Sequence, residues 1–177
     1  KKINKDFKFK WVHDHIGSNY RMTEIQCAVG RIQLKKLNKN ISMRNKIAKK
    51  YLSAIKNIKW IKTIKINNNI VNAYYRLNII IDSSITKKNF SALDIIKVLN
   101  NNKIKCNEGA CPKIYEEKKF KSLKLVPKRK LINVENLNHN NISIFISHLL
   151  THDEIAKNSN NLNKIFNKFD NYILWIL

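Results

Sequence analysis

The spacing of apolar residues changes along this chain of 177 residues, and the change limits the folds that are open to it. Up to about residue 58, apolar side chains recur every three or four positions, which predicts helices with one apolar face. From residue 75 to residue 82 they alternate, which predicts a strand with one buried face. Helical and alternating segments then follow each other. The sequence therefore predicts an α+β fold in which helices cover a small sheet.

Local signals place the ends of several elements. Thr23 opens a Thr-x-x-Gln capping box, so a first helix is expected to begin there. The run Asn38–Asn40 is expected to end this helix, and Ser42 to cap a second one. Thr151 opens a Thr-x-x-Glu box, which predicts the start of the last helix. Between them we expect a strand at 75–82, a helix through Phe90 and Leu99, a short strand at 104–106 and a strand at 142–146.

The residues expected on apolar faces fall into four groups along the chain. The first helix contributes Ile25, Ala28, Val29 and Ile32, and the second contributes Ile47, Ala48, Tyr51, Leu52, Ile55 and Ile58. The strands contribute Leu77, Ile79 and Ile81, then Ile142, Ile144 and Ile146. The last helix contributes Ile155, Leu162, Ile165, Phe166 and Phe169. The stripe of the second helix is expected to face the strand at 75–82.

The chain is strongly basic, because 35 Lys and Arg against 12 Asp and Glu give a formal net charge of +23. Such a charge is typical of nucleic-acid-binding proteins. However, 30 of these residues are lysines and only 5 are arginines, the residue that phosphate and base recognition favours. The 30 Lys, 28 Ile and 27 Asn share A/T-rich codons, so a biased genome explains the composition. A basic nucleic-acid-binding domain is therefore kept only as the alternative from another class.

Cysteine usage and hydropathy indicate a cytoplasmic protein. Three cysteines are an odd number and do not suggest a disulfide framework, and Cys27 is expected in the core. The longest apolar runs have about five residues, far short of the roughly 20 that cross a bilayer. Cys106 and Cys111 with His148 and His152 resemble a loose zinc pattern. The two histidines are expected to point in different directions, so no metal site is predicted.

The most informative segment reads GSNYRMTEIQ, followed by GRIQLKKL. A turn with Gly17 delivers Asn19 and Arg21 just ahead of a helix N-terminus. Free amides and the positive end of the helix dipole suit an anion such as phosphate at this place. From these features alone, an ordinary capped turn with a surface arginine is the simpler interpretation.

This segment, with Arg44 in the helix that follows, closely resembles the DegT/StrS family of nucleotide-sugar aminotransferases. These are pyridoxal-phosphate enzymes of the aspartate-aminotransferase fold, fold type I. The resemblance continues at AYYRL (73–77), at ACPKIY (110–115) and from 142 to 155. It covers nearly all of this chain but only about the second half of a family member.

The resemblance implies a fold, a reaction and a cofactor. Residues 23–177 would form the C-terminal small domain, and residues 1–22 an arm from the large domain. The enzyme would move an amino group, usually from glutamate, to a nucleotide-linked keto-sugar, with pyridoxal 5'-phosphate as the cofactor. The products would be amino sugars for surface polysaccharide or lipopolysaccharide.

The resemblance also assigns roles to four residues. Asn19 matches the asparagine of the family's N-Y-R motif and would reach the cofactor phosphate of the partner subunit in a homodimer. Arg21 would support that phosphate site or the dimer interface. Tyr115 and His148 lie where contacts to the sugar substrate are expected.

Two departures from the family bear on activity. The half that carries the Schiff-base lysine would precede Lys1, so no lysine of this chain receives that role and the chain alone is expected to be inactive. Leu149 follows His148 where the family usually has a proline. Two interpretations stay open: this chain is the C-terminal part of a longer or split enzyme with an N-terminal half as its partner, or it is an inactive remnant.

Overall fold

The computed structural model describes residues 17–18, 20–67, 69–86, 90–109, 113–137 and 140–174, with only the backbone described for the last four. Asn19, Cys111 and the arm 1–16 lie outside the described residues. The helices are α1 (Glu24–Ile55), α2 (Ser83–Thr86), α3 (Ala92–Asn101), α4 (Lys118–Ser122), α5 (Ile132–Leu137) and α6 (His152–Leu174). The strands are β1 (Ile61–Thr63), β2 (Arg76–Ile81), β3 (Cys106–Glu108) and β4 (Asn141–Phe145), and a 3-10 turn spans Ile114–Glu116.

The four strands form one antiparallel sheet in the order β1-β2-β4-β3. The strand β4 lies in the middle, with Leu77 of β2 and Cys106 of β3 both opposite Ile144. Strand β1 pairs with the far edge of β2, where Ile61 lies opposite Ile81. An α+β fold with a small sheet and helices is therefore confirmed.

One face of this sheet is covered by helices. The alternating residues Leu77, Ile79 and Ile81 of β2 are buried, as the period of two predicted. Helix α3 packs against β3 and β4, and α6 packs against α1 and α3. The remaining core residues from the helices are Ile47, Ala48, Tyr51, Ile55, Ala92, Ile95, Leu99, Ile155, Leu162, Ile165 and Phe166. The residues of α1 from Ile47 to Ile55 and the buried residues of β2 belong to one core. Helix α1 packs mainly against α6, so the expectation that its stripe faces β2 stays a prediction.

Polar side chains fix α6 to α1. The amide of Asn158 donates to the Tyr51 hydroxyl at 3.2 Å, and the amide of Asn163 donates to the Ala54 carbonyl at 2.7 Å. Both bonds join residues more than 100 positions apart in sequence, and they set the register of the two helices. The sequence pattern showed the apolar faces but not these polar links.

Helix α1 corrects two expectations. It runs without a break from Glu24 to Ile55, so the predicted interruption at Asn38–Asn40 is wrong. Asparagine costs a helix only about 0.7 kcal/mol relative to alanine and keeps its backbone N–H, and Lys39 between the two asparagines favours a helix, so this run does not stop a helix that is anchored further on. The half of α1 before residue 40 is exposed throughout. Cys27, expected in the core, is exposed with it.

The ends of the other elements depend on local caps and on pairing. Thr23 and Thr151 cap α1 and α6, each through a capping box, as predicted. Ser91 caps α3 in the same way, with Asp94 as its partner. The strand expected at 104–106 begins at Cys106 instead, because its residues pair with β4 from there. None of the described helices combines the length and apolarity that a bilayer-spanning helix requires.

Candidate functional site

The N-Y-R segment leads directly into the N-terminus of α1. The side chain of Gln26 accepts from the Thr23 backbone N–H at 2.9 Å, and the Gln26 N–H donates to the Thr23 hydroxyl at 3.3 Å. The amides of Glu24 and Ile25 have no partner inside the helix, as at every helix start. Arg21 is exposed beside them. A guanidinium and two free amides at the positive end of a helix suit a phosphate that another element brings there.

Tyr115 lies on the 3-10 turn and is half-buried next to α5. The ammonium of Lys113 contacts the Glu135 carboxylate at 2.7 Å and that of Glu116 at 3.3 Å. The contact with Lys113 lowers the pKa of Glu135. Partial burial, followed by the charge of Glu135, raises the pKa of Tyr115. Tyr115 is therefore a neutral phenol at physiological pH, able to donate or accept a hydrogen bond but not to act as a base.

His148 lies in the turn after β4 and is half-buried. It lines a cleft of about 630 Å³ between this turn and the middle of α1. The other lining residues are Lys36, Lys39, Asn40, Ser42, Met43, Lys46 and Leu149. Leu149, which follows His148 directly, thus forms part of the cleft wall.

The structure does not bring the predicted residues into one pocket. Arg21 precedes α1, whereas the cleft with His148 begins at Lys36, about 18 Å further along the helix axis at 1.5 Å per residue. Tyr115 has a hydrogen bond to the Glu135 carboxylate, and no described hydrogen bond joins it to Arg21 or to His148. Asn19 lies outside the described residues. Arg21, Tyr115 and His148 therefore lie on three separate surfaces of this chain.

Sequence reasoning missed the lysines of the cleft and the Lys113–Glu135 pair. Lys36, Lys39 and Lys46 share one helix face only if α1 is continuous, and a helix broken at residues 38–40 hides that alignment. The Lys113–Glu135 contact joins residues 22 positions apart and has no local sequence signal. Among the described residues, no three His, Cys, Asp or Glu side chains form a metal-binding group.

Comparison with known proteins gives a consistent result. Residues 3–162 match the model of the DegT/DnrJ/EryC1/StrS aminotransferase family. An aminotransferase from Psychrobacter cryohalolentis is similar in structure, with a TM-score of 0.76 and 27% identity, covering 90% of this chain and 42% of its own. No curated protein matches the sequence significantly.

Two further solved structures share the fold at lower identity. Helicobacter pylori PseC, an aminotransferase involved in the biosynthesis of pseudoaminic acid, has a TM-score of 0.69 and 21% identity, over 87% of this chain and 40% of its own. The E. coli GDP-4-keto-6-deoxy-D-mannose-3-dehydratase with bound hydrated PLP has a TM-score of 0.64 and 24% identity, over 91% of this chain and 40% of its own. This chain spans about two fifths of the length of these structures.

Proposed function

Because this chain belongs to the DegT/DnrJ/EryC1/StrS aminotransferase family, we propose that it is the C-terminal part of a pyridoxal-phosphate-dependent sugar aminotransferase. The observation that carries the proposal is the N-Y-R segment, which lies within the family match and leads into the capped N-terminus of α1. Residues 23–177 correspond in this proposal to the small domain. Residues 1–22 correspond to the arm that joins it to the cofactor-bearing part.

The proposed reaction belongs to the complete enzyme. An amino group passes from glutamate to a keto-sugar that is linked to a nucleotide, and the product serves surface polysaccharide or lipopolysaccharide. The bound cofactor supplies the electron sink for this chemistry. The residues of this chain bind and orient the cofactor phosphate and the substrate.

The described residues fit the phosphate end of the cofactor and no more of it. Arg21 and the free amides of Glu24 and Ile25 are anion-binding groups, and all are accessible. Asn19 would add an amide donor to the same phosphate. The described part of the N-Y-R segment forms no enclosed pocket for the pyridine ring, since Tyr20 is 93% exposed. The ring therefore needs a second surface.

Helix α1 supports the presence of that second surface. Its exposed half presents Ile25, Val29 and Ile32 at helical spacing, with exposed fractions of 78%, 53% and 54%. An apolar stripe of this kind usually marks a protein interface. We assign it to the cofactor-bearing half and to the partner subunit of a homodimer.

Tyr115 and His148 are proposed to act on the substrate side. The Tyr115 phenol stays protonated, because burial and the Glu135 charge raise its pKa, so it suits a neutral hydrogen bond to a sugar hydroxyl. His148 lines the cleft beside α1 and is accessible from it. The two groups lie on different surfaces, so they would contact different parts of one substrate.

A chimera tests the proposal. The N-terminal part of the Psychrobacter cryohalolentis aminotransferase would be joined to this chain at the N-Y-R segment. Retention of the cofactor would be followed by its absorbance after dialysis, and the amino-donor step by its spectral change on adding glutamate. We expect the chimera to retain the cofactor and to respond to glutamate.

Variants of the chimera test the role of Asn19. A hydrogen bond to a charged group contributes about 1.5–3 kcal/mol, or roughly ten- to a hundredfold in affinity, so Asn19→Ala should weaken cofactor retention by that factor. Asn38→Ala, on the exposed middle of α1, serves as the matched control and should leave retention unchanged. A folded chimera that retains no cofactor would contradict the proposal and favour an inactive remnant.

A further inference from the structure

The segment between the 3-10 turn and α5 carries a high density of positive charge. Residues 118–130, here called the basic loop, contain seven Lys and Arg among 13 residues, against 35 among the 177 of the whole chain. No Asp or Glu occurs from residue 118 to residue 134, whereas Glu116, Glu117 and Glu135 flank this stretch. The acidic residues thus lie at the two ends of the segment and the basic residues lie within it.

A bias toward A/T-rich codons does not by itself explain the composition of the basic loop. Such a bias enriches Lys, Ile and Asn together, and the whole chain has 28 Ile and 27 Asn. The basic loop contains neither Ile nor Asn, and its apolar residues other than Pro127 are Phe120, Leu123, Leu125 and Val126. The pairing of lysine with leucine and valine in this loop therefore needs an explanation of its own.

Ion pairs and a backbone turn hold the basic loop in place. The Lys113 ammonium contacts the Glu135 carboxylate at 2.7 Å and the Glu116 carboxylate at 3.3 Å, so it joins the chain before the loop to the chain after it. Helix α4 ends in a turn in which the Leu125 N–H donates to the Phe120 carbonyl at 2.9 Å. The loop thus presents its side chains from a defined backbone, which lowers the entropy cost of binding a partner.

Aliphatic and basic side chains are exposed together in this loop. Every residue from 120 to 130 is exposed. The exposed fractions of Leu123, Leu125 and Val126 are 45%, 58% and 42%. Lys121 and Lys124 alternate with these residues along the chain. Single exposed apolar residues are ordinary, but a group of them marks a surface that contacts a partner.

The chemistry of these side chains favours an anionic lipid surface as the partner. Negatively charged headgroups attract basic side chains, and aliphatic side chains enter the boundary between headgroups and acyl chains. A nucleic acid stacks its bases on aromatic rings and arginine planes. The loop has one aromatic residue, Phe120, and one arginine, Arg129. A nucleic acid would pair with the charges but leave the aliphatic side chains in water.

We propose that the basic loop binds the surface of an anionic phospholipid bilayer. Its lysines contact the phosphates of the headgroups, while Leu123, Leu125 and Val126 enter the boundary with the acyl chains. Helix α4 has five residues, so the loop lies on the bilayer and does not cross it. This surface includes neither Arg21 nor the cleft beside His148, and the proposal does not depend on the proposed enzymatic function.

Sedimentation of the whole chain with lipid vesicles tests the proposal. Vesicles of phosphatidylcholine with about 30% phosphatidylglycerol have the negative surface potential that attracts basic segments, and vesicles of phosphatidylcholine alone lack it. At about 0.15 M salt, we expect the chain to bind the anionic vesicles at least about tenfold more tightly than the neutral ones. The affinity should fall as salt is added, because salt screens the attraction to the headgroups.

A pair of charge variants tests whether the lysines of the loop are responsible. Lys121→Gln/Lys124→Gln should weaken binding at least about tenfold, since each basic residue close to an anionic surface contributes roughly fivefold in affinity. The control Lys35→Gln/Lys49→Gln removes the same charge from exposed positions of α1. It should bind within about threefold of the original chain, because those positions do not contact the bilayer.

A second pair of variants tests the aliphatic contact. Leu123→Gln/Leu125→Gln keeps the charge of the loop and should weaken binding to anionic vesicles at least about fivefold, because the burial of two apolar side chains is lost. The control Ile64→Gln/Ile70→Gln replaces two apolar residues that are similarly exposed outside the loop. It should bind as the original chain does. None of these four residues belongs to the core, so all variants should remain folded.

Three results with the chain itself would overturn the proposal. The first is that the original chain does not bind anionic vesicles. The second is equal weakening in Lys121→Gln/Lys124→Gln and its control, which would mean that net charge alone attracts the chain. The third is unchanged binding of Leu123→Gln/Leu125→Gln, which would indicate a purely ionic contact of the kind that a nucleic acid makes.

The chimera separates the bilayer from another occupant of the same surface. If the cofactor-bearing part covered the basic loop, the chimera would not bind the anionic vesicles that the chain alone binds, and the proposal would be wrong. We expect the chimera to bind them with an affinity within about threefold of that of the chain. Cofactor retention is measured separately by absorbance, so the enzymatic proposal and this proposal can fail independently.

Discussion

Trp60 is the residue on which most of the aromatic packing in this core converges. It is fully buried, and its ring lies edge-on to Phe90 at 5.0 Å and to Phe166 at 5.7 Å between centroids. Phe169 approaches the same ring at 6.4 Å. Edge-to-face pairs of this kind contribute about 0.5–1.5 kcal/mol each beyond the area they bury. Trp60 therefore joins the segment before β1 to α6 and, through Phe90, to the residues just ahead of α3.

Removal of this ring should be among the most damaging single changes. Trp60→Ala is expected to lower the free energy of unfolding by about 3–5 kcal/mol, because it leaves a cavity among three phenyl rings. Ile64→Ala, at a position that is 56% exposed, should change it by less than about 0.5 kcal/mol. Urea unfolding of both variants measures the difference. A small effect at Trp60 would mean that the three phenyl rings close the cavity.

Glu135 offers a prediction about acidity. Its carboxylate is one of the causes that raise the pKa of Tyr115, after partial burial. Glu135→Gln should therefore lower the pKa of Tyr115, although burial keeps it above its usual value. The difference in phenolate absorbance between chains with and without Tyr115→Phe, titrated from pH 8 upward, isolates this residue from the other tyrosines. A pKa that does not move would place the carboxylate away from the phenol.

Helix starts are predicted correctly from the sequence where the signal comes from neighbouring residues. Thr23 and Thr151 predict helix starts correctly, because a capping box is closed by residues three positions apart. The strand β1 has only three residues and was not predicted, since pairing with β2 rather than its own pattern forms it. Non-local contacts also decide the continuity of α1 at Asn38–Asn40, because packing further along the helix outweighs the local preference of these residues.

The candidate site was predictable only in part. The N-Y-R segment is contiguous in sequence, so Arg21 could be placed ahead of a helix from the sequence alone. The cleft depends on a continuous α1 and on where the turn with His148 lies after folding. Lysines at positions 36, 39 and 46 are unremarkable among 30 lysines until the helix face is known. The cleft beside His148 is therefore visible only in the tertiary fold.

The exposed half of α1 allows a direct test of helix stability. Gly30 lies in this half, and an added Cβ would meet no atom within 4 Å. Gly30→Ala should therefore stabilise the helix by about 0.5–1 kcal/mol, through a lower entropy cost of folding. Slower hydrogen exchange of the amides between residues 27 and 39 would measure the gain.

The reverse substitution at a neighbouring position is the control. Ala28 is exposed on the same half of α1, so Ala28→Gly should accelerate exchange by a comparable factor. Core amides of β4 should be unaffected in both variants, because this half of α1 buries none of the core. Equal exchange rates in the original chain and both variants would mean that helix propensity in the exposed half of α1 does not determine how often its hydrogen bonds open.

The whole molecule combines a closed core with a helix that extends beyond it. From residue 47 onward, α1 contributes buried residues to the core, whereas before residue 40 its residues are exposed. The net charge of +23 opposes close approach of two copies at low salt. The apolar stripe of Ile25, Val29 and Ile32 favours it. The balance between charge repulsion and burial of the stripe should determine whether two copies of the chain associate in solution.

At about 0.15 M salt, where surface charges more than about 8 Å apart are largely screened, we expect the isolated chain to self-associate through the exposed half of α1. The triple variant Ile25→Gln/Val29→Gln/Ile32→Gln should weaken this association at least about tenfold, because it removes the apolar contact area. At concentrations low enough for both chains to be monomeric, its melting temperature should equal that of the original chain, since none of the three side chains belongs to the core. The matched control Ile64→Gln/Ile70→Gln/Val71→Gln replaces three exposed apolar residues outside α1 and should associate as the original chain does. Sedimentation velocity over a range of concentrations measures all three. A chain that stays monomeric at the highest concentration would show that the stripe is not an interface on its own, and would weaken the assignment of α1 to a missing partner surface.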